Sequence, residues 1–194
     1  FLRLGLLAAF LLFLAPAVAQ AVTPPLKTGA VTDEAKILNL RATDEMTQRI
    51  AEIQHRTGFE VVVVTLAGLQ AASIEKWGQV LGEQWAIGAA SGRATGVILI
   101  VAPKERQVRI AVGSGLTARL PDDAAARIVT SRILPFFKQA RYADGILAGL
   151  DGIAGALGAG SAQSSAAAPP PPKPTLLERR SPDWGWWRPY LPGI

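Results

Sequence analysis

The sequence predicts an α/β domain, a mixed β-sheet with helices packed on both faces, ahead of a disordered C-terminal tail. Three observations lead there. Two runs, Glu60–Leu66 and Gly96–Val101, are apolar and β-branched without polar alternation, the pattern of strands buried on both faces. Segments of helical period stand before, between and after them. A third strand, Gln107–Val112, alternates instead, with Val108, Ile110 and Val112 on one side. It follows the second run after the short polar turn Ala102–Arg106, which reads as a hairpin.

Each element has its own signal. Met46, Ile50 and Ile53 recur at helical spacing and Gly58 follows as a stop, placing a helix over Thr43–Thr57. Ser73 is an N-cap for a helix that carries Ile74, Trp77, Leu81 and Trp85 and closes near Gly88. The alternating strand tolerates Arg109 on its outer face, so it belongs nearer the sheet edge. Asp122 or Asp123 starts a helix through Ile128, Val129 and Ile133. Pro135 must break or kink that helix, because it lacks an amide hydrogen and crowds the preceding turn. Phe136 and Phe137 then enter the core. A last helix over Tyr142–Leu157 carries Ile146, Leu150, Ile153 and Leu157 on one stripe. The order is helix, strand, helix, hairpin, helix, helix, which gives a mixed sheet covered on both faces.

The ends are of another kind. Arg3, the apolar run Leu4–Leu14 and the small-residue stretch Ala17-Val18-Ala19-Gln20-Ala21 have the layout of a secretory signal peptide, cleaved after Ala19 or Ala21. The run is short for a membrane span. Because the first residue is Phe1, a start upstream of it is expected. Residues 22–30 read as a linker, 31–160 as the folded part, and 161–194 as a tail. Pro169–Pro172 and Pro174 make a stiff, extended segment. Trp184, Trp186, Trp187 and Tyr190 follow, residue types that favour the water–lipid boundary. Two readings stay open: a lead-in to a transmembrane helix beyond Ile194, or an adhesive disordered tail. Arg179, Arg180 and Arg188 stand against the first, since the positive-inside rule disfavours them outside the cytosol.

Composition excludes several chemistries. The 194 residues include no cysteine and one histidine, so there is no disulfide framework, no thiolate metal site and no thiol nucleophile. The net charge of +5 is spread along the chain. Residues 31–160 hold 14 Lys/Arg against 13 Asp/Glu, too even for a nucleic-acid-binding face.

The stretch from Val31 to Leu157 resembles the TPM domain family, named for thylakoid lumenal, photosystem repair and nematode receptor-modulating members, with many bacterial relatives. The matching pieces are Thr57–Thr65, Trp85–Gly88, Gly96–Pro103, Arg106–Leu116, Leu120–Asp122, Ile133–Phe137 and Tyr142–Ile146, in family order. The resemblance implies an exported domain with a C-terminal low-complexity stretch and often a membrane helix. It also implies a ligand site near the glycine loop, which places Thr95, Gly96, Gly113, Ser114 and Gly115 among the candidates. Some plant members are reported as acid phosphatases with calcium nearby. In that chemistry carboxylates hold a hard cation or act as nucleophile or acid. Asp33 matches the Asp common at the start of the domain, and Asp122 matches the acid after the glycine loop; these are the candidate metal ligands. The plainer readings are a turn or cap for Asp33, and an N-cap with a favourable dipole interaction for Asp122 and Asp123. Many relatives have an Asp-Asn pair directly before the Gly that opens the third strand. Ala94 and Thr95 stand there instead, removing two oxygen ligands.

Other motifs carry less. Gly113-Ser114-Gly115-Leu116-Thr117-Ala118 formally matches a dinucleotide fingerprint, but Pro121 interrupts the required helix and the preceding strand closes a hairpin. Arg93, Arg109 and Arg119 flank one end of the expected sheet, where they read as a phosphate clamp or as solvated charge. His55 reads as a surface histidine, and no G-x-S-x-G elbow exists for it to serve. Two functions follow. One is a non-catalytic module on the periplasmic side of the inner membrane, or secreted, that binds an envelope or membrane protein and is tethered by its tail. The other is a weak calcium-dependent acid phosphatase using Asp33 and Asp122. A catalogued link of bacterial relatives to methanol dehydrogenase is compatible with an accessory role only, because the chain lacks the repeats of a propeller.

Overall fold

The computed structural model describes residues 22–89 and 94–158. The leader and the Pro- and Trp-rich tail lie outside the described residues. Among those described, no helix is long and apolar enough to cross a membrane.

The elements run β1 (Val31–Asp33), α1 (Leu40–Thr57), β2 (Glu60–Thr65), α2 (Ile74–Gln84), β3 (Gly96–Ala102), β4 (Gln107–Val112), a short 3-10 turn (Ser114–Leu116), α3 (Asp122–Ile128), a π-helical turn (Val129–Ile133), α4 (Leu134–Phe137) and α5 (Tyr142–Gly158). The sheet order is β1-β2-β3-β4. β1, β2 and β3 are parallel, and β4 pairs antiparallel with β3 across the expected hairpin. β4 is the edge strand, as its alternation predicts.

The missing alternation in β2 and β3 is explained by two cores. Val61, Val63, Val97, Leu99 and Val101 face α1, α3, α4 and α5. Val62, Val64, Ile98, Ile100 and Ala102 face α2. Both parallel crossovers step the same way across the sheet, yet α1 and α2 lie on opposite faces. They therefore have opposite hands, against the usual right-handed preference. One consequence bears on the site: the second face carries α2 as its one helix among the described residues, and part of β4 lies beyond it.

Several details differ from the expectation. β1 has no counterpart in the periodicity, because three residues are too few to show a period. The first helix begins at Leu40, three residues early, where Asn39 accepts from the Ala42 amide at 2.8 Å. The second helix ends at Gln84, and the chain turns through Ala86 and Gly88, both at positive φ, before β3. Ser73 is the cap expected, accepting from Lys76 N–H at 3.2 Å. At Pro135 the expected interruption takes the form of a π turn and not a stop. The missing amide is absorbed by the π turn, with Leu134 N–H donating to Val129 O five residues back. Residues 22–30, a linker by composition, pack on the domain, the first of them along the α2 face. Val22 packs there, Trp85 Nε1 donates to Pro25 O at 3.1 Å, and Lys27 pairs with Glu60 at 2.7 Å.

Candidate functional site

The glycine loop leaves β4 and folds back on the start of β3. Gly113 N–H donates to Gly96 O at 2.8 Å. A Cβ on Gly113 would fall far inside van der Waals contact of the Ala94 carbonyl. Its φ is −65°, so this glycine serves close approach and not a left-handed turn. Gly96 is equally tight, since an added Cβ would strike Ile87. Beside this loop a groove of about 870 Å³ opens between α2 and the outer face of β4. Its walls include Glu75, Gln79 and Glu83 from α2, and its far end holds Ser114, Thr117 and Asp122. Arg109 Nη1 lies 3.3 Å from Glu75 Oε1.

Of the sequence candidates, the groove brings together Gly96, Gly113, Ser114 and Asp122. Thr95 and Gly115 are not among its lining residues; Thr95 bonds back to the Gly88 carbonyl through its amide and hydroxyl. Asp33 is elsewhere. It ends β1 opposite Thr65, the last residue of β2. Gly96, against which Gly113 closes, pairs with Glu60, the first residue of β2. A strand of this length spans roughly 17 Å, whereas calcium ligands sit about 2.5 Å from the ion. Asp33 and Asp122 therefore cannot share a cation, and the expected pairing of the two at the glycine-loop end is corrected. No group of three metal-ligating side chains converges among the described residues.

The Asp33 carboxylate is occupied locally. It accepts from the Thr65 hydroxyl, from Ile37 N–H at 3.3 Å and from Leu38 N–H at 3.0 Å. Those bonds close the turn between β1 and α1, as its plainer reading anticipated. Asp122 is exposed in the first turn of α3, with Pro121 and not an aspartate at the N-cap. Asp123 pairs with Arg127, whose hydrogen bond holds the Asp123 carboxyl below its ordinary range. Glu60 fastens the near end of the site. Burial alone would raise its pKa, but hydrogen bonds from Lys27 and the Gly88 amide, with the Lys27 charge, outweigh this and hold it low.

Arg109 and Arg119 do not form a clamp. Arg109 faces Glu75 on the α2 side, while Arg119 lies over Phe59, on the α1 side, and donates to Leu157 O at 3.3 Å. Arg93 lies outside the described residues. His55 is exposed in the last turn of α1. Trp77 is buried with its Nε1 donating to Leu69 O, so packing explains it. The α2 wall was missed in the sequence, although Gly78 and Gly82 one turn apart marked a thin helix face.

The chain matches a known family. The TPM domain model aligns with residues 31–156, well over half of the chain. The chain belongs to the TPM domain family. Solved relatives of this TPM domain agree in fold. The N-terminal domain of a protein from P. gingivalis, determined by solution NMR, is 31% identical with a TM-score of 0.62, covering 68% of this chain and 83% of that one. The N-terminal domain of a Corynebacterium glutamicum protein is 22% identical with a TM-score of 0.54, covering 74% and 90%. The BA42 protein of the psychrophile Bizionia argentinensis is 18% identical with a TM-score of 0.55, covering 63% and 82%. Among curated proteins none matches the chain.

Proposed function

We propose that this TPM protein is an exported module, tethered at the membrane through its tail, that binds or assists an envelope protein or assembly without catalysis of its own. The observation that carries the reading is the separation of Asp33 and Asp122 to opposite ends of the sheet, with Asp33 already bonded within its own turn. Ala94 and Thr95, in place of an acid and an amide, support it, as do the leader-like N-terminus and the near-neutral folded part. The opposing reading, a weak calcium-dependent phosphatase, is favoured by the phosphatase name that the family also carries.

The test uses the full chain with its tail. Captured on envelope membranes, it should retain a defined protein partner. Calcium calorimetry and a phosphomonoester assay on the same preparation should give neither heat nor turnover. Calcium binding with turnover that is lost in Asp122→Asn would overturn the module reading in favour of the phosphatase.

A further inference from the structure

We infer that the α2–β4 groove is where the module holds its partner, and that it takes an extended, cationic peptide segment. This rests on the module reading above. The first support is size. Glu75 and Glu83 lie eight residues apart on α2, about 12 Å along the helix, which is the reach of about four extended residues. The groove is open to solvent, and its volume, about 870 Å³, is in the range of ligand-binding clefts.

The second support is Gly82. Gly82 stands in the last turn of α2, where glycine is still less favourable than alanine. Gly78, one turn earlier, has a packing reason: its added Cβ would stand 2.9 Å from Ala111 Cβ, so α2 could not rest on β4. An added Cβ on Gly82 would meet no atom within 4 Å among the described residues. Packing among the described residues does not require this glycine. What it does is leave the groove clear for the close approach of another backbone.

The third support is charge. Glu75 and Arg109 neutralise one another. Glu83 and Asp122 are exposed, line the groove, and make no side-chain hydrogen bond or ion pair among the described residues. An anionic or phosphorylated ligand would meet two carboxylates that have no ion-pair partner among the described residues. A lysine or arginine flanked by small residues would satisfy them, with the exposed Ser114 hydroxyl within the same groove to bond the peptide backbone.

The test titrates the isotope-labelled full chain with an end-blocked Ala-Lys-Ala-Arg-Ala peptide and follows amide chemical shifts. Saturable shifts are expected at Gly82, Ala111, Gly113 and Ser114, and none with the same peptide carrying glutamates. The Glu83→Gln, Asp122→Asn double variant should bind about tenfold more weakly, the loss of two exposed ion pairs. Gly82→Phe should fill the groove and abolish binding while its spectrum stays that of a folded protein. Absence of saturation at millimolar peptide, equal binding of the acidic peptide, or unchanged binding by these variants overturns the assignment. The two readings fail separately. A membrane partner retained equally by Gly82→Phe removes the groove and leaves the module. Peptide binding without any captured partner removes the module and leaves the groove.

Discussion

The two ends of the sheet are built on opposite principles. At the carboxyl end of the parallel strands, Asp33 spends its carboxylate on the Thr65 hydroxyl and two backbone amides. At the other end, Glu83 and Asp122 face open space, and the backbone is packed so tightly that glycine is required at positions 96 and 113. In open α/β sheets, ligands gather outside the carboxyl ends of strands, where the strand order reverses. Here the order β1-β2-β3-β4 has no reversal. The carboxyl end offers a smaller hollow, about 190 Å³, beside Pro103 and Tyr142. The comparison teaches that an acidic residue type is not a site: the same carboxylate is a turn fastener at one end and an available charge at the other.

The largest expected effect tests the tight end. Gly113→Ala must push the Ala94 carbonyl and the start of β3 apart, and should lower stability by roughly 3 kcal/mol or more, read by chemical denaturation. Little change would mean that the glycine loop does not fold back on Ala94 as described.

A smaller effect sharpens how that end is fastened. Glu60 joins Lys27 and the Gly88 amide, and its folded pKa lies below its ordinary value. The sign follows: its contribution is fully present above the unfolded value of about 4.5 and is lost as pH falls through the lower folded value. Glu60→Gln should therefore cost about 1 kcal/mol near neutral pH, and the gap to the parent should close in acid. A gap that persists well below that range would place the effect in packing and not in the carboxylate's charge.

Much of this was legible in the sequence. The valine and isoleucine runs announced two-sided burial, and Ser73 announced its cap. The hairpin and the glycine loop were marked by alternation and by paired glycines. What was hidden is physical in origin. β1 is too short to carry a period, and its Asp33 gains meaning from Thr65, 32 residues away. That the candidate carboxylates sit at opposite ends depends on strand direction, which side-chain patterns do not encode. The groove depends on where α2 lies across the sheet, a property of tertiary packing and not of any motif.

The separation of Asp33 from Asp122 is tested most directly by a double-mutant cycle of Asp33→Asn and Asp122→Asn, measured by denaturant unfolding with and without millimolar calcium. Asp33→Asn should cost about 1–2 kcal/mol, because the Ile37 and Leu38 amides lose their charged acceptor. Asp122→Asn should change stability by about 0.5 kcal/mol, the scale of a first-turn dipole interaction. The account predicts that the two add to within about 0.5 kcal/mol whether or not calcium is present, as distant sites do. A coupling above about 1 kcal/mol that emerges with calcium would contradict it, because two carboxylates at opposite ends of the sheet cannot hold one ion.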